Sequence, residues 1–336
     1  MNYSGFTTKL GLAYSPLCNH DFEIIKSEKI VQQILEGAML YAIGQRSILT
    51  FENIVPTEDE TALNFEIHLQ GTDLKLTCSL PLYQEHIGQD ESEGVNVEFG
   101  SYDPDWYQKT PPINDVNGIR FYDKDMNFLL WLSPDKFLHH YWNNVISATV
   151  VGDIRPFTEF KIHYVGKATD QEVWDRLTGH YSLQKILGLE RPNIKGTLPT
   201  HEITLLIFRV VDKMEFSILG DDVDTFVDKL VEPKLPDDKT VSLDAEKALV
   251  KLLNPEYNHP TKRFPNYPKS TDGLHKFEFD RFAYLIKEDI TLVYNDVEIV
   301  GASVENKADI IGISNNESME IIKASDLGTD ETTEKE

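Results

Sequence analysis

Apolar and polar positions divide the chain into stretches of two different periods. Residues 22–46 (FEIIKSEKIVQQILEGAMLYAIGQR) bring Ile30, Ile34, Ala38 and Tyr41 together at three- and four-residue spacing, which predicts an amphipathic helix with one packed face. SILTFENIV, ALNFEIHLQ and LKLTCSLPLY then alternate apolar with polar residues and predict an antiparallel sheet, with Gly71-Thr72-Asp73 turning between the last two. Residues 87–117, rich in Gly, Asp, Glu and Pro, predict a long irregular connection. GIRFY and NFLLWL flank Asp123-Lys124-Asp125 as a second hairpin. Ser133-Pro134 opens a short helix, because the N–H that Pro lacks is unpaired in a first helical turn anyway. A boundary is expected near residue 142, making residues 1–142 an N-terminal α+β domain with an antiparallel sheet.

Beyond it, VISATVVG and FKIHYVG read as strands before a helix starting near Asp170, where Thr169 and Glu172 have capping-box spacing. HEITLLIFRVV reads as a buried strand, followed by an acidic surface insertion, LGDDVDTFVDKLVEPKLPDDK. Its Asp221, Asp222 and Asp224 lack the Gly and closing Glu of a calcium loop. Residues 242–253 predict another helix, ended by Pro255. ITLVYNDVEIVGASV predicts a hairpin turning at Asn295-Asp296, and the acidic residues from about Ser325 predict disorder. Residues 143–288 then form a second, small domain, 289–324 a C-terminal hairpin extension and 325–336 a tail, for an α+β fold class.

A chain of 336 residues is longer than one core usually serves, which agrees with that division. No stretch approaches the roughly 20 apolar residues of a membrane span, so no membrane partner is expected. The opening MNYSGFTTKLGLAYSPLC lacks a basic end followed by a long apolar stretch, which predicts a cytoplasmic protein. Cys18 and Cys78 stand far apart, in no metal-ligand spacing. The formal charge of −24 opposes nonspecific nucleic-acid binding, because affinity for phosphates comes from Lys and Arg. That acidity is uneven: residues 150–286 carry a net charge of only −3, against −12 before them and −9 after.

The candidate chemistry lies in this nearly neutral middle. Arg176 and His180 stand four apart on the expected helix, so one phosphate can meet a planar cationic fork and a group that titrates near neutral pH. A solvated Arg beside a surface His is the plain alternative. Val173, Leu177 and Tyr181 form the adjoining apolar stripe. Glu246 leads Leu249, Val250 and Leu253 on one helical stripe, so a carboxylate interrupts an apolar face. Burying it unpaired would cost several kcal/mol, which calls for a cation, a metal or a proton; a place near the helix start, beside the dipole, is the other account. Gly166 suits a tight strand-to-loop transition. Lys167, together with Lys262 and Arg263 among Phe264, Tyr267 and Lys269, offers charge and stacking for nucleic acid, and Asn258 after Pro255 a brace for its loop.

YVGKATDQEVWDRLTGH (164–180), followed by AEKALVKLLNPEYN (245–258), resembles the GIY-YIG nuclease superfamily, the likeness covering roughly residues 145–285. It implies a small α/β nuclease domain that cleaves phosphodiester bonds of DNA. Tyr164, Arg176, His180 and Glu246 would be its catalytic residues, Glu246 the ligand of Mg²⁺ or Mn²⁺, and Lys167, Asn258, Lys262 and Arg263 its substrate contacts. The acidic N-terminal domain would choose the target or hold a protein partner. The superfamily also carries a Gly-Ile-Tyr-like strand whose Tyr helps to activate water. It is expected one strand before Tyr164, where ATVVGDIRPFTEFKIH contains no Tyr; the nearest, Tyr141, precedes that strand. Three accounts follow: another group activates the water, Tyr164 serves alone, or the fold is an inactive binding module whose acidic part contacts proteins or mimics DNA.

Overall fold

The computed structural model describes residues 3–88, 94–108, 110–218, 235–269, 273–277 and 279–327. The chain runs from β1 (Tyr3–Leu12) and β2 (Leu17–Cys18) through helices α1 (Asn19–Ile25) and α2 (Lys29–Leu35) into β3 (Leu40–Gln45). Next come β4 (Leu49–Pro56), β5 (Ala62–Leu69), β6 (Lys75–Pro81), β7 (Asn96–Gly100), β8 (Gly118–Tyr122), β9 (Phe128–Leu132), α3 (Pro134–Trp142) and β10 (Thr149–Val151). The second half holds β11 (Glu159–Lys167), α4 (Val173–Leu177), α5 (Tyr181–Leu189), α6 (Pro199–Glu202), β12 (Ile203–Ile218) and α7 (Asp238–Leu253). It ends with β13 (Arg281–Ile286), β14 (Thr291–Tyr294), β15 (Val297–Val300), β16 (Ile310–Ser314) and β17 (Ser318–Ile322). The fold is α+β. Among the described residues no helix is long and apolar enough to cross a membrane.

Ten strands form the central sheet, in the order β15-β14-β11-β3-β12-β1-β13-β16-β17, with β2 also on β12. Its middle strands are covered on both faces. Leu40, Ala42, Leu206 and Phe208 enter one hydrophobic cluster, whereas Tyr41, Ile43, Leu205 and Ile207 enter a second. Alternate residues of β3 and β12 thus serve opposite cores, which is why both read as unbroken apolar runs.

That arrangement corrects the long helix expected over 22–46. Two short helices replace it, α2 stops before Gly37 at φ +77°, and residues 40–45 are a fully buried strand. Ile30 is 72 % exposed while Val31 and Leu35 are buried, so even the helical part packs another face. A short apolar run buried on both sides has no period of its own, and the preceding helical spacing absorbed it.

The boundary near residue 142 is also revised. β3 pairs antiparallel with both β11 and β12, and β1 pairs with β12 and β13, so the sheet is continuous across it. Residues 46–158 are instead an insertion between two neighbouring strands. They form the sheet β10-β6-β5-β4 and the sheet β7-β8-β9, the expected hairpins among them, and β7 falls inside the stretch expected to be irregular. Phe51, Phe65, Phe121 and Phe137 of the insertion share the cluster of Phe160, Phe208 and Leu249. Arg46 ties the root of the insertion to α3 through two bonds to the Asp135 carboxylate, at 2.9 and 2.8 Å.

The C-terminal strands are not an appendage. The hairpin turning at Asn295-Asp296 forms as expected, but β14 extends one edge of the sheet while β13, β16 and β17 extend the other. The five Cα steps from Ile286 to Thr291 span at most about 18 Å. Five strand spacings in a flat sheet would need about 24 Å. The sheet therefore curls, bringing β13 and β14 near one another. Most of the acidic insertion, residues 219–234, and the tail from 328 lie outside the described residues, as do Asp221, Asp222 and Asp224.

Candidate functional site

β3 and β11 build the centre of the site. Their ladder breaks register between Ile162 and Tyr164, then sets Gly166 opposite Tyr41. Tyr164, two residues before Gly166, shares its face, so both phenol rings lean over the glycine with centroids 6.1 Å apart and planes 27° from parallel. A Cβ on residue 166 would lie 2.7 Å from the Tyr41 hydroxyl and 2.5 Å from a ring carbon of Tyr164. Gly166 is thus required by close approach within the strand, not by the strand-to-loop transition first expected of it.

The strand beside Tyr164 carries Tyr41, although residues 46–158 separate the two in sequence. The only local signal was LYAIGQ, an apolar run holding a Tyr and a Gly.

Arg176 and His180 come to this pair from two helices. α4 ends at Leu177, Gly179 turns the chain at φ +73°, and His180 caps α5. The Thr169–Glu172 capping box does not form: α4 begins at Val173, and Glu172 makes no side-chain cap bond. Tyr181, read as packing, is 77 % exposed. Nδ1 of His180 accepts the N–H of Leu183 at 3.2 Å, which leaves the proton of a neutral ring on Nε2, 3.0 Å from the Tyr41 hydroxyl. Burial, helped by the charge of Arg176, pushes His180 down to about 4, so the ring is neutral at pH 7 and donates to Tyr41.

The charge of Arg176 bears on both phenols. Burial raises Tyr41 well above its ordinary value, the neighbouring Tyr164 adds to this, and Arg176 pulls the other way. Tyr164 is raised by burial and then by the charge of Glu246, again against Arg176. Both phenols are protonated at neutral pH.

Glu246 lies well inside α7, 8 % exposed, in line with buried Leu249, Val250 and Leu253. Its distance from the helix start removes the dipole account, and Asp237 takes the cap by accepting the N–H of Thr240. Glu246 Oε2 lies 3.4 Å from the ammonium of Lys167, the last residue of β11. One packed carboxylate beside a partly exposed ammonium could hold Mg²⁺ or Mn²⁺, ions that complete their coordination with water and phosphate oxygens. Among the described residues no group of three His, Cys, Asp or Glu side chains gathers to hold a metal by itself.

The expected substrate contacts divide. Asn258 is 4 % exposed, accepts the N–H of Val165 at 3.0 Å and donates to its carbonyl at 2.8 Å. Beyond Lys161, where β14 stops pairing, its amide replaces a strand along β11, bracing the backbone next to Tyr164 from a buried position. Arg263 donates to the carbonyls of Asn258 and Glu256, both at 3.1 Å, bracing the same loop. The side chain of Lys262 lies outside the described residues. Of the three whose side chains are described, Lys167 stands at the site. No family model matches the chain, and neither a curated protein nor a solved structure matches it.

Proposed function

We propose that Tyr41, Tyr164, Arg176, His180 and Glu246 form a metal-assisted phosphodiesterase site of GIY-YIG type that cleaves DNA. The observation carrying this reading is Tyr41, which the resemblance requires and which stands beside Tyr164 although it comes from before the insertion. The His180 Nε2–H donates to Tyr41, so the phenol can turn its own proton toward a neighbouring oxygen and orient the attacking water. Tyr164 bounds the other side of that position. Arg176 faces negative charge that grows on the phosphate as the bond to the leaving oxygen breaks. Glu246 would hold Mg²⁺ or Mn²⁺, which supplies further charge stabilisation there. The acidic residues 1–142 would contact the target or a protein partner.

The charge of −24 favours the alternative, a binding module that keeps the fold without cleaving. Plasmid nicking in Mg²⁺ or Mn²⁺ separates the two. The nuclease reading expects nicking by the wild type and its loss in both Tyr41→Phe and Glu246→Gln. A wild type inactive on single strands, duplexes and branched DNA would establish the binding module instead.

A further inference from the structure

Lys167 and Glu246 form an unequal pair. The carboxylate belongs to a packed helix and its side chain is 11 % exposed, while the lysine stands where the β3–β11 ladder ends with 38 % of its side chain exposed. The anion is fixed and the cation can swing. On the phosphodiesterase reading, a divalent ion seeks the oxygen that this ammonium faces at 3.4 Å. Lysine and ion cannot both sit against it, because their charges repel and the buried oxygen has little room to turn. A half-exposed lysine is also held weakly, since solvent screens the pair and ordering a long side chain opposes it.

We infer that Lys167 is a displaceable counter-ion, which neutralises Glu246 while no metal is bound and is released toward solvent and substrate phosphate when metal takes the carboxylate. The inference rests on the phosphodiesterase reading and adds regulation to the same site. A metal-free protein keeps its buried carboxylate neutralised. Metal loading then delivers a second cation, the freed ammonium, to the mouth of the site, so that phosphate affinity follows metal occupancy.

Two measurements on the full chain test it. Calorimetric titration with Mn²⁺ alone should find Lys167→Met binding about fivefold tighter than wild type, the scale of one modest ion pair, and Glu246→Gln binding far more weakly. Charge removal alone would also tighten binding, so the second measurement follows the lysine itself. Acylation of Lys167 by an amine-reactive reagent, read by mass spectrometry, should speed up when wild type is saturated with Mn²⁺ and stay constant in Glu246→Gln. Mn²⁺ binding that leaves Lys167 acylation unchanged would overturn the inference, as would equal affinity in wild type and Lys167→Met, or no binding in either. A protein that binds Mn²⁺ and releases Lys167 but nicks no DNA would keep the switch and remove the nuclease reading.

Discussion

Gly166 lies directly across the β3–β11 ladder from Tyr41, and the two phenols of the site close over the position where its Cβ would be. Gly166→Ala would drive a methyl group into the Tyr41 hydroxyl and the Tyr164 ring, neither of which can retreat through a packed strand. The expected stability loss is about 1–3 kcal/mol, as for other overpacked sites, with nicking reduced much further because both rings are displaced. Denaturant unfolding and plasmid nicking measured together check this. An alanine variant with unchanged stability and activity would show that the rings are not confined.

His180 gives the site a pH response. Its value falls from 6.5 in an unfolded chain to about 4 in the fold, so the unfolded chain binds more protons between those limits. Its contribution to stability is complete above pH 6.5 and is lost as pH drops toward 4. Burial likewise depresses His139, His163 and His201 to about 4, so the whole protein should weaken over this window. His180→Asn keeps an acceptor for the N–H of Leu183 and removes the titration. Thermal melts from pH 7.5 to 4 should show a shallower decline for this variant than for wild type; parallel curves would assign the acid sensitivity entirely to other groups.

The outer framework of the fold was legible in the sequence, but the joining of its two halves was not. β5 and β6, the hairpin at Asn295-Asp296 and the cap of α3 depend on neighbours a few residues away, which period and turn chemistry record. Glu246 was legible because one carboxylate on an apolar stripe needs a reason. Tyr41 was not, since its meaning comes from a strand beyond residue 158 and no local period encodes that partner. Arg176 and His180 were paired for a reason that fails, one continuous helix, and meet because Gly179 turns the chain between two helices.

Asn258 separates bracing from substrate contact. Asn258→Ala leaves the N–H and carbonyl of Val165 without partners in a buried place, at about 1–3 kcal/mol for an unsatisfied group. Chemical denaturation should register that loss, while DNA affinity at a temperature where the variant is folded should stay near wild type. A stable variant with weakened DNA binding would return Asn258 to the substrate contacts.

Arg176 distinguishes catalysis from binding most sharply, because its charge bears on both phenols and on His180. If it neutralises charge that appears only as the phosphate reacts, its loss should be felt in turnover more than in affinity. Arg176→Ala is expected to lower the cleavage rate on the order of 10²–10³, the usual effect of removing one preorganised donor, with DNA affinity changed only a few-fold. Arg176→Lys keeps the charge but not the planar fork that can meet two phosphate oxygens together, so it should restore affinity and little of the rate. Removing the guanidinium also removes a charge that holds His180 down, so the ring should titrate at higher pH in Arg176→Ala, which NMR of the imidazole can follow. Single-turnover cleavage and equilibrium binding of the three proteins supply the comparison. Equal losses of rate and affinity in the alanine variant would make Arg176 an anchor for the ground-state phosphate, and full rescue by lysine would show that charge alone suffices.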